Sequence, residues 1–125
     1  MTKDRRRFPR YDVAKLAEFK GELQQGRKKT RLIMFGLGGC GFFSDPIEEM
    51  LKADQNVVCT FKCDGILKEP LKLQAKVAYV QAVQIFQAKE IFYGIEFLPN
   101  QESAIGPLVK YLEELQSQGK IKVCA

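Results

Sequence analysis

Four arginines, Arg5, Arg6, Arg7 and Arg10, surround a Phe-Pro pair near the start of the chain. A guanidinium carries a planar fork of donors that matches phosphate oxygens, and it can also stack on a purine face. Two arginines separated by three residues, such as Arg6 and Arg10, are spaced to hold one nucleotide between them. The cluster indicates a phosphate-bearing ligand, although such a segment is also typical of a solvated tail or of non-specific contact with nucleic acid.

The net charge of +5 is unevenly distributed along the chain. Residues 1–31 hold eleven Lys and Arg against four Asp and Glu, whereas the remaining residues hold nine against eleven. The excess of positive charge is therefore concentrated in the first quarter of the chain. Such asymmetry favours an anionic partner there, whether a phosphate-bearing ligand, a nucleic acid or an acidic protein surface.

Residues suited to catalysis or to metal binding are scarce. The sequence contains no histidine, the side chain most used as a general acid or base near neutral pH. It has no G-x-S-x-G elbow, no P-loop and no C-x-x-C pair, so no catalytic residue, metal or cofactor is predicted. The four cysteines are predicted to be reduced and mostly buried, with the second and third on one face of a strand: Cys40, Cys59, Cys63 and Cys124.

Length and hydropathy predict a single cytoplasmic domain. The 125 residues are 46% hydrophobic, as in an ordinary globular protein. The longest apolar runs stop far short of the ~20 residues that cross a bilayer, which argues against membrane insertion. No apolar stretch of signal-peptide length follows the basic N-terminus, so export is not expected.

Alternating apolar residues predict six strands joined by short connections. The residues 24–27 form a hairpin-sized turn between the first two strands, and residues 88–90 are short enough to join the last two. Sequential strands of this kind favour an antiparallel barrel. The predicted strands are 13–23, 29–37, 40–43, 57–63, 71–85 and 91–97.

After Pro99 the apolar spacing changes from that of a strand to that of a helix. A helix is predicted over about 106–118, with Pro107 in its first turn and Gly119 at its end. The fold class is therefore all-β with one C-terminal α-helix, a six-stranded antiparallel barrel. A flexible basic arm, 1–10, is expected to precede a body spanning 11–125.

In this context the arginine cluster resembles the RRxxxR motif of PilZ domains, the receptors for the second messenger cyclic di-GMP. Residues 37–39, Leu-Gly-Gly, are similar to the second motif of that family, and 93–97 resemble its last barrel strand. The resemblance implies a non-enzymatic bacterial signalling domain whose arginine arm folds over the dinucleotide, with guanidinium groups meeting phosphates and guanine. It implies these ligand-binding residues: Arg5, Arg6, Arg10, Gly38 and Gly39.

The second motif departs from the family pattern D/N-x-S-x-x-G. Aligning its last glycine on Gly39 places Met34 at the Asp or Asn position and Gly36 at the Ser position. The resemblance gives the Asp a bond to the guanine edge, and neither residue here can replace such bonds. Two interpretations stay open: a decayed site whose glycines serve backbone geometry, or a glycine-rich turn that still offers N–H groups to a phosphate.

Three functions follow from these observations. The first is a receptor that binds cyclic di-GMP weakly and relays the signal to an unidentified protein target. The alternative is a degenerate adaptor that acts only through protein partners. A nucleic-acid binder is disfavoured, because most aromatic residues occupy alternating positions that suit a core rather than a stacking platform.

Overall fold

The structure, a computed structural model, describes residues 8–23, 30–45 and 50–124. In this part of the chain it contains seven strands followed by one helix. The architecture is mostly β with a C-terminal helix, as predicted. The elements are β1 Arg10–Asp12, β2 Phe19–Leu23, β3 Thr30–Gly36, β4 Gly39–Ser44, β5 Asn56–Cys63, β6 Leu71–Ile85, β7 Ala88–Phe97 and α1 Glu102–Ser117.

The strands form one antiparallel sheet in the order β1-β3-β4-β7-β6-β5-β2. The prediction of a closed six-stranded barrel is wrong, because the sheet is open, with β1 and β2 at its two ends. Of the segment predicted as the first strand, 13–23, only 19–23 is a strand, which is β2; β1 precedes that segment. The chain between them, 13–18, connects opposite ends of the sheet.

Local hydrogen bonds explain why this segment is not a continuous strand. The carboxylate of Asp12 accepts a bond from the Ala14 N–H at 3.0 Å, and the Leu16 N–H donates to the Val13 carbonyl at 3.1 Å. These short-range bonds compete with ladder pairing. The strand predicted to begin at Val13 therefore begins only at Phe19.

Two predicted connections also differ from the structure. Residues 88–90 belong to β7, since Ile85 pairs with Ala88 and the turn consists of Phe86 and Gln87. The strands on either side of 24–29, a segment outside the described residues, do not form the predicted hairpin: β2 pairs with β5.

Buried aromatic rings hold β3 against the other strands. Phe35 is fully buried, and its ring centroid lies 5.0 Å from that of Phe61, 5.1 Å from that of Phe19 and 5.5 Å from that of Phe97. Burying one such side chain contributes roughly 1.5–3 kcal/mol. This packing fixes the position of the C-terminal half of β3, to which two of the predicted site positions belong.

The cysteines follow the sequence prediction. Cys59 and Cys63 are both buried on the inner face of β5, and Cys40 is buried on β4. Cys124 is half-buried, and none of the four cysteines forms a disulfide bond.

The helix begins at Glu102, four residues before the predicted start. The reason is Gln101, whose side-chain amide bonds both the N–H and the carbonyl of Gln74 at 2.8 Å and so fixes the chain on β6. Pro107 consequently lies inside the helix rather than in its first turn. The predicted apolar stripe is confirmed for Ile105, Leu108, Leu112 and Leu115, which are buried.

One polar contact ties α1 to the segment between β1 and β2: the Tyr111 hydroxyl donates to the Glu18 carboxylate. This bond is the main cause that raises the pKa of Tyr111 to about 12 and lowers the pKa of Glu18. No helix among the described residues is long and apolar enough to span a membrane.

Candidate functional site

The predicted site residues divide into two groups. Arg5 and Arg6 lie outside the described residues. The structure brings the other positions together where β1, β3 and β4 meet. Arg10, assigned to the arm by the sequence, is instead the first residue of β1 and pairs with Gly36 of β3.

The Arg10 side chain is almost completely buried, with 8% of its surface exposed. Its Nη1 lies 3.3 Å from the Cys40 carbonyl oxygen, and its Nη2 lies 3.2 Å from the Ile95 carbonyl oxygen. Nη1 also contacts the Met34 sulfur at 4.0 Å. The guanidinium is therefore held by the main chain of β4 and β7 beside the glycine-rich turn.

Glycine is required at two positions beside Arg10 because the backbone approaches so closely. A Cβ on Gly39 would lie 2.1 Å from the Ile95 carbonyl oxygen and 2.5 Å from Arg10 Nη2. A Cβ on Gly36 would lie 2.3 Å from the Pro9 carbonyl oxygen. Larger residues would displace the backbone or the guanidinium.

The third glycine, Gly38, has a different environment. A Cβ there would lie 3.2 Å from Phe8 Cδ2, so the Phe8 ring covers this glycine. The Gly38 carbonyl accepts a hydrogen bond from the Phe97 N–H at 3.0 Å. The turn is thus fastened to β7 and covered by the residue that precedes Pro9.

The two residues that depart from the family motif, Gly36 and Met34, have different surroundings. The φ angle of Gly36 is not positive. A serine would not fit there because its Cβ would overlap the Pro9 carbonyl oxygen. Met34 is half-buried and extends toward Arg10. An Asp Oδ is three bonds from Cα, as the Met sulfur is, so a carboxylate at this position would lie near the guanidinium.

Electrostatics around the site do not favour a nucleophile. Burial is the main cause that holds the pKa of the Cys40 thiol well above its ordinary value; a hydrogen bond with Cys59 raises it further, and the charge of Arg10 opposes the shift. The thiol is therefore neutral near physiological pH. Across residues 8–23, 30–45 and 50–124, no three potential metal ligands come together.

Sequence reasoning missed the groups that hold Arg10. The carbonyls of Cys40 and Ile95 belong to strands far apart in the chain, and a main-chain carbonyl has no residue-type signal. Phe8, which covers Gly38, is part of the arginine cluster, but nothing in its spacing indicated this contact.

Comparison with known proteins identifies the class to which this fold and site belong. The sequence model of the PilZ domain matches residues 4–114. The chain therefore belongs to the PilZ domain family. A comparison with curated proteins finds no match.

Several solved structures share the fold. The PilZ domain of YcgR from Escherichia coli, solved with cyclic di-GMP, is 15% identical, with a TM-score of 0.65, covering 93% of this chain and 97% of that one. Klebsiella pneumoniae MrkH, in complex with cyclic di-GMP, is 17% identical with a TM-score of 0.70; 95% of this chain matches 56% of MrkH. The Bacillus subtilis inhibitor of motility MotI is 13% identical with a TM-score of 0.64, and the match covers 93% of this chain and 53% of MotI.

Proposed function

We propose that the protein is a non-catalytic receptor that binds cyclic di-GMP weakly and acts on a protein partner. The observation that carries this proposal is the guanidinium of Arg10, held beside Gly38 and Gly39. Arg5 and Arg6 precede Arg10 in the sequence by five and four residues. Two structures of the same fold, those of YcgR and MrkH, contain cyclic di-GMP.

The fixed position of Arg10 favours binding of a phosphate or a guanine edge. Bonds to the Cys40 and Ile95 carbonyls order the side chain before a ligand arrives. Less conformational entropy is then lost on binding, since an immobilised long side chain otherwise costs about 0.5–1.5 kcal/mol. Arg5 and Arg6 would supply the remaining charge-assisted contacts.

Met34 is the reason to expect weak binding. A thioether is a poor acceptor and carries no charge, so it cannot replace the carboxylate that the family motif places there. One missing hydrogen bond to a charged group costs roughly 1.5–3 kcal/mol, which corresponds to at least tenfold in affinity.

One observation favours the alternative, an adaptor that does not bind the nucleotide. Arg10 already bonds two main-chain carbonyls, which gives it a structural role that needs no ligand. Gly36 is likewise explained by its close approach to Pro9. Arg10 would then serve the fold rather than a ligand.

Calorimetric titration with cyclic di-GMP separates these functions. We expect the wild type to bind in the micromolar range, Arg6→Ala to lose the heat of binding, and Arg31→Ala to bind as the wild type does. Arg31 is the matched control because it is an exposed arginine on the other half of β3. No heat with the wild type, or equal affinity for Arg6→Ala, would contradict the receptor.

The same samples test the absence of catalysis. Cyclic di-GMP incubated with the protein should be recovered unchanged by chromatography. Linear dinucleotide or GMP that increases with protein concentration would show the prediction to be wrong. We also propose a cytoplasmic location, on the basis of the hydropathy of the sequence.

A further inference from the structure

The second half of β6 is paired on one side only, among the residues that the structure describes. β5 pairs with β6 as far as Lys76, and one further main-chain bond joins the Asp54 N–H to the Val77 carbonyl at 2.7 Å. β7 continues along the other side to the end of the strand. Residues 79–85 therefore form an edge without a neighbouring strand, the free β6 edge.

The direction of the main-chain groups along this edge follows from β7. The Phe97 N–H donates to the Gly38 carbonyl, on the β4 side, so the even-numbered residues of β7 bond to β6. Phe92 pairs with Gln81, and the odd-numbered residues of β6 beyond the bulge therefore bond to β7. The even-numbered residues direct their N–H and carbonyl groups away from β7: Val80, Ala82 and Gln84.

The free β6 edge lacks the features that usually prevent strands from pairing edge to edge. Residues 77–88 include no charged residue and no proline, and the nearest charged residues are Lys76 and Lys89. Natural proteins commonly protect an exposed edge with lysine, proline or a covering segment. An edge without them presents its donors and acceptors to any strand of matching spacing.

The other strand edges of the described chain are covered or charged. The C-terminal segment lies along β1, where the Cys124 N–H donates to the Arg10 carbonyl at 2.7 Å. β2 lies close to β3 at the gap in the sheet, since a Cβ on Gly21 would lie 3.2 Å from Leu32 Cδ2. The part of β7 that extends past β4, 88–90, contains a lysine and a glutamate. In the described chain, the free β6 edge is the exception.

The turn at the end of this edge carries an exposed aromatic residue. Phe86 is 97% exposed and has a φ of 54°, which lies in the left-handed region. Glycine is favoured where a two-residue hairpin needs such an angle, so the backbone at Phe86 is strained. Because the ring adds almost nothing to the core, a contact outside the chain accounts best for a phenylalanine at this position.

We propose that the free β6 edge pairs with the same edge of a second copy of this chain, antiparallel and centred on Ala82. In this register Ala82 lies opposite Ala82 of the second copy, and Val80 lies opposite Gln84. The outward N–H and carbonyl groups of each copy then meet those of the other. The pairing brings no like charges opposite each other, although each chain has a net charge of +5.

The register also gives Phe86 a place on the second copy. Phe86 lies level with Ala78 of the other chain, next in sequence to Tyr79, whose side chain is 47% exposed. Aromatic contacts of this kind commonly supply much of the energy of a small interface.

A second copy suits the edge better than an acidic or a basic protein does, because the edge has no charge that would select either. The chain itself supplies a strand of matching spacing. A two-fold axis uses the edges of both copies at once, so the product is a closed dimer rather than a fibre. The pairing does not involve Arg10 and is independent of cyclic di-GMP.

Sedimentation equilibrium over a series of concentrations measures the association. The average mass of the wild type should rise from that of one chain toward that of two and no further. Hydrogen exchange at low and high concentration locates the contact. The amides of Val80, Ala82 and Gln84 should gain protection at high concentration, whereas those of Gln81 and Val83, already bonded to β7, should change much less.

Two variants test the contact without removing a bond to β7. Phe86→Gly deletes the ring and suits the positive φ, so the hairpin stays folded while the dimer weakens by about tenfold. Ala82→Pro removes an N–H that points to the second copy, and proline is tolerated at such an edge position, so association should be lost. The control, Ile66→Gly, deletes another exposed apolar side chain in a turn and should associate as the wild type does.

The proposal is overturned if the wild type keeps the mass of one chain up to about 1 mM, which corresponds to less than about 4 kcal/mol of binding. It is also overturned if Phe86→Gly associates as tightly as the wild type, or if Ala82→Pro, folded by circular dichroism, still forms the dimer. Protection that fails to increase at Val80, Ala82 and Gln84 contradicts it whatever the variants do.

Discussion

The two halves of β3 offer opposite environments to an arginine. At 34–36 the strand is covered by β1, and Arg10 is buried with its guanidinium bonded to two carbonyls. At 30–32 no strand of the described chain pairs with β3 on that side, and the side chain of Arg31 is 59% exposed, paired with Glu90 at 2.5 Å. The first arginine is fixed by its surroundings, whereas the second can exchange its partner for another anion.

The two arginines therefore suit two different kinds of contact. A buried, oriented guanidinium suits a ligand of one shape, because its geometry is set before binding. The exposed guanidinium of Arg31 instead suits a weak and exchangeable surface ion pair. Substitutions that affect only one half of β3 test this difference.

The largest expected effect is on stability. Arg10→Ala should lower the free energy of unfolding by about 3 kcal/mol, since it removes two charge-assisted bonds made by a buried side chain. Arg31→Ala should cost less than about 1 kcal/mol, as expected for an exposed ion pair. Urea denaturation of both variants measures the difference.

Equal loss in the two variants would show that Arg10 contributes no more than a surface arginine. Arg10→Lys is the informative intermediate. It keeps the charge but cannot bond both carbonyls in the same geometry, so its stability should fall between those of the wild type and Arg10→Ala.

A smaller effect is expected at the glycines. Gly36→Ser should destabilise by about 2 kcal/mol, because its Cβ would overlap the Pro9 carbonyl and separate β1 from β3. Gly38→Ala should be nearly neutral, since only the Phe8 ring must shift. Thermal unfolding compares them, and a stable Gly36→Ser with intact β1 pairing would refute the steric explanation.

The smallest effect concerns the contact between α1 and Glu18. Tyr111→Phe should cost about 1 kcal/mol near pH 7, the usual value of one hydrogen bond. The raised pKa of Tyr111 means that this stabilisation is present below pH 10 and is lost as pH rises through about 12. The lowered pKa of Glu18 means that it is also lost as pH falls below the ordinary value of 4.5.

Stability measured against pH in both proteins checks this assignment. The difference between wild type and Tyr111→Phe should be constant near neutral pH and should shrink at both extremes. A difference that does not change with pH would mean that the phenol contributes by packing alone.

Most of the sheet could be predicted from the sequence because its residues alternate clearly. Val57, Cys59, Phe61 and Cys63 are all buried on one face of β5, as their spacing indicated. The late start of β2, at Phe19 rather than at Val13, could not be predicted, since it depends on local bonds at Asp12 and Val13 that compete with long-range pairing.

For the candidate site, the sequence indicated which side chains to consider but not what surrounds them. The family resemblance named Arg10, Gly38 and Gly39 as ligand-binding residues, which stays a prediction. Burial of Arg10 against the Cys40 and Ile95 carbonyls depends on residues 30 and 85 positions away in the chain. The constraint on Gly36 also arises from three-dimensional packing, because it is set by the Pro9 carbonyl rather than by a turn.

The affinity for cyclic di-GMP is expected to depend most on the residue at position 34. Met34→Asp would place a carboxylate oxygen near Arg10 Nη1, now 4.0 Å from the sulfur, and would restore the acceptor of the family motif. Gly36 should be left unchanged, since serine there would disturb the backbone. Met34→Leu, which adds no acceptor, is the matched control.

Titration of wild type, Met34→Asp and Met34→Leu with cyclic di-GMP is the most direct test. We expect weak binding by the wild type, about tenfold tighter binding by Met34→Asp if one charge-assisted bond is restored, and wild-type affinity for Met34→Leu. Absence of binding by both the wild type and Met34→Asp, with circular dichroism showing that both are folded, would contradict the receptor and favour an adaptor that acts through proteins alone.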